Sequence, residues 1–184
     1  MRKLIFAINI SLDGCCDHTK FNPDEEVLNY FTQLTQDAGL LIYGRKTYEL
    51  MVPFWPDMAK HNSGDKAENE FARAFDSIGK VVFSKSSGAT EEGNTRVVNK
   101  NLKEEILRLK QEKGDNMLTS GVSIPSQLME LGLVDEYHFM VHPILAGART
   151  RLLQGTDLQG SLQLKLVSTK TFKSGCVALR YVKQ

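Results

Sequence analysis

The chain has 184 residues, 41% hydrophobic and 24% charged, and 23 Lys plus Arg offset 22 Asp plus Glu to leave a formal charge of +1. That balance, with no basic block, excludes the electrostatic footprint of a nucleic-acid binder, and no apolar run approaches the roughly 20 residues that cross a bilayer. Three cysteines, two of them adjacent at Cys15 and Cys16, make no pairing framework, and no Cys or His cluster has zinc-like spacing.

The expectation is one soluble domain. Met1-Arg2-Lys3 leads into Leu4 to Ile10, too short for a signal core, so a cytoplasmic protein is expected. The same apolar run reads as a strand buried on both faces, ended by the turn Ser11-Leu12-Asp13-Gly14. A helix is predicted from Asn22 as cap and Pro23 as its first residue, with Asp24, Glu25 and Glu26 in the first turn. Val27, Leu28, Phe31 and Leu34 form its apolar stripe, and it should end near Gly39.

Leu40 to Tyr43 reads as a second buried strand, which Gly44 turns sharply into a helix over Arg45 to Met51. Val52 to about Asn69, with Pro53, Pro56, Asn62, Gly64 and the sole tryptophan, Trp55, reads as a loop long enough to suspect function. A helical stretch around Phe71, Ala72 and Phe75 follows, then a strand over Lys80 to Ser84 and a β-like Arg96-Val97-Val98. Leu102 to Lys113 is amphipathic. Met117 to Ser120 is a strand meeting Gly121, and Ile124, Leu128 and Leu131 mark a helix that ends at Gly132. Glu136 to His142 is a strand, and Gln163 to Thr171 with Cys176 to Lys183 reads as a terminal hairpin. Strand and helix alternate early and strands dominate late. The predicted fold is therefore α/β, a three-layer arrangement with a mainly parallel central sheet and a C-terminal antiparallel hairpin. His138 and His142 are four apart in a strand, about 13 Å, too far to be expected to share a metal.

Ligands of such sheets gather at strand C-terminal ends, and three junctions deliver polar groups there: Ser11 to Gly14, Gly44 to Thr47, and Ser120 to Ser123. At Gly44-Arg45-Lys46-Thr47, free helix N–H groups, a forked guanidinium and a hydroxyl suit phosphate; an ordinary capped turn with surface cations is the alternative. Ser120-Gly121-Val122-Ser123 repeats that chemistry, and Ser84-Lys85-Ser86, after a further strand, is either another phosphate contact or a loop with a solvated lysine. Together they suggest a ligand with separated phosphates, such as a dinucleotide. Neither G-x-G-x-x-G nor G-x-x-x-x-G-K-[ST] occurs, which disfavours a Rossmann or P-loop protein.

Gly44-Arg45-Lys46-Thr47-Tyr48-Glu49 resembles the Gly-Arg-x-Thr segment of dihydrofolate reductase-like proteins. Ser11-Leu12-Asp13-Gly14 is similar to the Ser-Leu-Asp-Gly signature of their riboflavin-biosynthesis reductase branch, the RibD C-terminal domain. Thr119 to Ser123, Leu131 to Glu136 and His142 to Gly147 continue the likeness in that branch's order. The resemblance implies a dihydrofolate reductase-like fold over the whole chain and NADPH as cofactor. Gly44, Arg45 and Thr47 would hold its pyrophosphate or 2′-phosphate side, and Ser120, Gly121, Val122 and Ser123 the pyrophosphate. Ser84 and Lys85 would hold the adenosine 2′-phosphate, and Ala7 and Ile8 would lie beside the nicotinamide. In dihydrofolate reductases the Gly-Gly matching Ser120-Gly121 carries a cis peptide.

Two departures stand out. The acidic residue that holds the pterin on the first helix of dihydrofolate reductases corresponds to Val27 here, with Glu26 or Asp24 as substitutes only if the register slips. Arg149 replaces a glycine usual in the riboflavin branch. Asp13 is the candidate proton source and substrate contact, against a plain Asp-Gly turn; Asn9 is a further substrate-side candidate, and His142 is either another or a packing residue. Trp55 is a pocket wall or a hydrophobic plug, and Arg149 and Arg151 are either phosphate partners or exposed loop arginines. Hydride transfer to a small heterocycle, as in reduction of a phosphorylated ribosylaminopyrimidine, is the activity implied. A dihydrofolate reductase and a non-catalytic NADPH-binding module are the alternatives. Without zinc-type deaminase motifs it reads as a stand-alone reductase module, and a homodimer through the terminal hairpin is expected.

Overall fold

A computed structural model describes residues 1–85, 90–147, 150–154, 158 and 160–184. Ser86 and Arg149 lie outside the described residues. Among those described, nine strands form one sheet in the order β4-β5-β3-β2-β6-β1-β7-β9-β8. They are β1 (Leu4–Ser11), β2 (Ala38–Gly44), β3 (Lys80–Phe83), β4 (Thr90–Glu92), β5 (Thr95–Val98), β6 (Asn116–Thr119), β7 (Glu136–His142), β8 (Leu164–Thr171) and β9 (Val177–Lys183). The six central strands, from β5 to β7, are parallel; β9 and β8 extend the sheet antiparallel at one edge and β4 at the other. The expected mainly parallel sheet and terminal hairpin are thus present, with β4 an addition that the sequence reading missed.

Strand alternation sends side chains to two cores. Phe6 and Ile8 of β1 and Ile42 of β2 join Ile106, Leu109 and Leu128 from α5 (Leu102–Gln111) and α6 (Ser123–Glu130). Ala7, Leu41 and Tyr43 face the opposite way, onto Leu28 of α1 (Glu25–Gln36) and Phe71 and Phe75 of α4 (Lys66–Ser77). Helices on both faces make the three layers. No helix among the described residues is long and apolar enough to cross a membrane.

Three local expectations are corrected. The first helix is capped by Asp24, whose carboxylate accepts from the Val27 amide at 2.9 Å, so Asn22 and Pro23 lie outside it. It also stops at Gln36, leaving Gly39 inside β2. The segment read as a loop holds α3 (Phe54–His61) and the start of α4, with α2 (Arg45–Met51) before them. Pro56 falls in the first turn of α3, where its missing N–H would have had no partner anyway, and Asn62 stops the helix in the left-handed region with φ 47°. An Asp65–Glu68 capping box then starts α4.

Candidate functional site at the C-terminal edge of the sheet

Because the six central strands run the same way, their last residues share one edge: Ser84 after β3, Gly44 on β2, Ser120 after β6, Ser11 on β1 and His142 on β7. Neighbouring strands are spaced by about 5 Å, so the three junctions expected to share an edge, on β2, β6 and β1, occupy roughly 10 Å of it. The strands are of unequal reach. β6 stops at Thr119, opposite Phe6, whereas β1 runs on to Ser11 with only β7 as its ladder partner. A crevice therefore opens above the end of β6.

The two turns flanking that crevice touch. A Cβ on Gly121 would lie 2.3 Å from Thr47 Oγ1, and Gly121 has φ +89°, so only glycine fits twice over. A Cβ on Gly44 would lie 2.8 Å from Ile124 Cγ1. Gly44 itself has φ −85°, so close approach and not a sharp turn is what requires glycine there. The helices starting at Arg45 and Ser123 have no side-chain cap at Gly44 or Val122, whereas α1, α4 and α5 are capped by Asp24, Asp65 and Asn101. Backbone amides without a side-chain cap thus meet at one place. Among the described residues the cis peptide is Val52–Pro53, so Ser120–Gly121 is trans. Arg45, at the mouth, forks onto Glu49 at 2.8 and 3.0 Å. Ser84 is buried, its amide donating to Val98 O, and Lys85 is exposed.

Ala7 and Ile8 are core side chains, 1% and 5% exposed, so at this level β1 has only backbone to offer a ligand. Asp13 does not suit a proton source. The Ser11 hydroxyl donates to it at 2.5 Å, and the Ala146 and Gly147 amides donate at 3.0 and 2.8 Å. These donors hold its carboxyl far below the usual carboxylate range. It anchors the loop after β7 as an anion. Arg151 donates to the Asp13 carbonyl, and burial pushes the Cys16 thiol up to about 11, against any nucleophilic role.

On the α1 face, Asn9 Oδ1 lies 2.8 Å from His142 Nε2, and His142 Nδ1 lies 3.4 Å from Cys176 Sγ. Cys176, and Phe21 against the His142 ring, escaped the sequence reading because nothing local links them to β7. Trp55 packs edge-on against Phe71 with ring centroids 4.6 Å apart, which gives it the plug's contacts. Val27 is fully buried among Met140, Phe172 and Cys176. Of its acidic neighbours, Asp24 caps α1 and Glu26 accepts from the Lys173 amide at 3.0 Å.

A groove of about 450 Å³ lies at the other end of the strands, against α1, with Lys3, Tyr30, Glu136, His138 and Arg180 on its wall. There Arg180 holds Glu136 at 2.7 Å, Glu136 meets His138 Nε2 at 2.8 Å, and Tyr30 meets His138 Nδ1 at 2.6 Å. These hydrogen bonds tie α1 to β7 and β9.

A sequence profile of the RibD C-terminal domain matches residues 2–178. The uncharacterized protein YyaP of Bacillus subtilis (strain 168) is 29% identical over 184 residues, covering 98% of this chain and 94% of YyaP. A Shewanella sp. PV-4 structure, provisionally named a riboflavin biosynthesis protein, is 22% identical with a TM-score of 0.75 over 99% of both chains. A Thermotoga maritima diaminohydroxyphosphoribosylaminopyrimidine deaminase/5-amino-6-(5-phosphoribosylamino)uracil reductase is 16% identical with a TM-score of 0.69; the match covers 100% of this chain and 57% of that one. At those identities the two structures show a common fold, which is the dihydrofolate reductase-like one expected. The profile match, spanning nearly every residue, makes this chain a member of the RibD C-terminal domain family.

Proposed function

We propose that the protein is an NADPH-dependent reductase of a small heterocycle, most like the 5-amino-6-(5-phosphoribosylamino)uracil reductase activity named for the Thermotoga relative. The observation that carries this reading is the meeting of two side-chain-uncapped turns at adjacent strand ends, which Gly44 and Gly121 allow to pack in contact. Bare amides brought together at two neighbouring turns suit a pyrophosphate, and a side chain at Gly121 would collide with Thr47 and force the turns apart. Gly44, Arg45 and Thr47 with Ser120, Gly121, Val122 and Ser123 would hold that part of the coenzyme. Ser84 and Lys85 would take the 2′-phosphate, and the β1 backbone at Ala7 and Ile8 would support the nicotinamide. Arg45 can exchange Glu49 for a phosphate at little cost, because an exposed ion pair contributes about 1 kcal/mol or less. When bound, the coenzyme would supply a hydride. The chain's part is to position the acceptor in the crevice above β6, with Asn9, Asp13, His142 and Trp55 around it, and to exclude water.

The dihydrofolate alternative is weakened by Val27 and by the engagement of Asp24 and Glu26, which leaves neither of these substitute carboxylates free for a pterin. NADPH oxidation followed by absorbance separates the readings. The account expects turnover with the ribosylaminopyrimidine phosphate and none with dihydrofolate. Dihydrofolate turnover would favour the alternative, and NADPH binding without turnover on any pyrimidine or pterin would favour a non-catalytic module. We extend the reading to a cytoplasmic homodimer joined through β8, whose Leu166 and Val167 are about half exposed. Sedimentation of wild type against Leu166→Arg tests it, with a monomeric wild type as the contrary result.

A further inference from the structure

Asn9 lies three residues past the last β1–β6 pairing, Phe6↔Thr119, at a level where β1 is laddered to β7 alone. Its side chain projects from the α1 face, the face of Ile5 and Ala7, and is half-buried, whereas His142 and Cys176 behind it are 5% and 4% exposed. Phe21 covers the imidazole, with ring centroids 4.6 Å apart. A neutral imidazole donates from one nitrogen and accepts at the other. Asn9 Oδ1 can only accept, so Nε2 carries the hydrogen, and Nδ1 accepts from the Cys176 thiol, which can donate. An imidazolium would donate from Nε2 as well. Either form directs an N–H at Asn9 Oδ1, 2.8 Å away.

The amide is thereby oriented: its oxygen is engaged, and its nitrogen, with two hydrogens, has no protein acceptor among the described residues. Resting on the reductase reading of the crevice, we infer that Asn9 is a donor to a carbonyl oxygen of the bound heterocycle, such as that of a pyrimidinedione. His142, backed by Cys176, is the positioning residue that fixes the direction of that amide. A site built to donate favours rings with a carbonyl there and rejects rings with an N–H in its place.

The test uses uracil as probe on the 15N-labelled full chain. Long-range proton–nitrogen correlation should find His142 as the Nε2–H tautomer, and uracil should shift the Asn9 side-chain amide signals. Asn9→Ala should weaken uracil binding about tenfold. His142→Phe should weaken it as much, His142→Gln should restore most of it through its own amide donor, and Asn9→Ala with His142→Phe should lose no more than either alone. An Nδ1–H tautomer, an Asn9 signal unmoved by millimolar uracil or moved only by NADPH, or additive losses would overturn the inference. NADPH affinity, measured in parallel, should be unchanged in every variant. A wild type that fails to bind NADPH refutes the reductase reading, while the uracil titration still decides this one.

Discussion

Gly121→Ala is the sharpest perturbation of the cradle. The new methyl would lie 2.3 Å from Thr47 Oγ1 and 3.4 Å from Thr47 Cβ and Cγ2, on a residue at φ +89°. Placing a non-glycine residue in the left-handed region costs about 1–2 kcal/mol, and overpacking costs about 1–3 kcal/mol more, for a loss of about 2–5 kcal/mol. With a urea m-value of about 2 kcal/mol/M, the midpoint should fall by about 1–2.5 M. Thr47→Ala removes Oγ1 and Cγ2 and leaves a Cβ contact of ordinary length. In that background Gly121→Ala should retain the backbone cost alone, so the double-mutant cycle should show about 1–3 kcal/mol of coupling. The double variant lacks the Thr47 hydroxyl proposed to hold the pyrophosphate. NADPH affinity should therefore remain low, by about tenfold or more, after stability has returned. A Gly121→Ala midpoint within error of wild type, or strictly additive losses, would refute the packing argument.

Other outcomes follow from the charges. Burial pushes the His138 imidazole below its usual range despite Glu136, and burial does the same to His142 despite Asp24. A group depressed in the folded state takes up its proton in the unfolded chain first, so stability should fall as pH drops below about 6.5. The hydrogen bond from Arg108 lowers Glu105; burial raises Glu136, but Arg180 and His138 outweigh it. These carboxylates therefore extend the loss below about 4.5, as denaturation at stepped pH should show; greater stability at pH 5 than at pH 7 would contradict this. Glu136→Gln should cost about 1–3 kcal/mol by weakening its bonds to Arg180 and His138, and a urea midpoint within error of wild type would contradict that. Asp13→Asn should lower Tm by turning an amide N–H₂ toward the Ala146 or Gly147 amide. It should leave the alkaline limb of the turnover pH profile in place, whereas disappearance of that limb would make Asp13 the proton source after all.

Where local chemistry dominated, the sequence was legible. Glu136 to His142 was read with both its boundaries correct, and the terminal hairpin was found to within a residue at each end, because strand period and turn residues agree there. Val52 to Asn69 was misread because Pro53, Pro56, Asn62 and Gly64 are breakers only by position: one proline falls in a first turn and the asparagine ends a helix. The Asp65–Glu68 spacing was the available signal. At the edge of the sheet, the residue types announced the turns, but not that Gly121 presses on Thr47 or Gly44 on Ile124. Asp13 looked like a proton source until the fold brought the Ala146 and Gly147 amides to it. The partners of His142 come from Asn9, Phe21 and Cys176 on other segments, and no local pattern joins them.

Thermal-shift titration with NADPH against NADH tests the central claim most directly. At a hundredfold excess over Kd, a ligand that binds only the native state adds about 2.7 kcal/mol. For a chain of this length that raises Tm by about 5–11 °C. The account predicts such a rise for NADPH, a much smaller one for NADH at equal concentration, and loss of the NADPH rise in Gly121→Ala with Thr47→Ala. An unmoved wild-type Tm at millimolar NADPH, or equal shifts with both coenzymes, would contradict it.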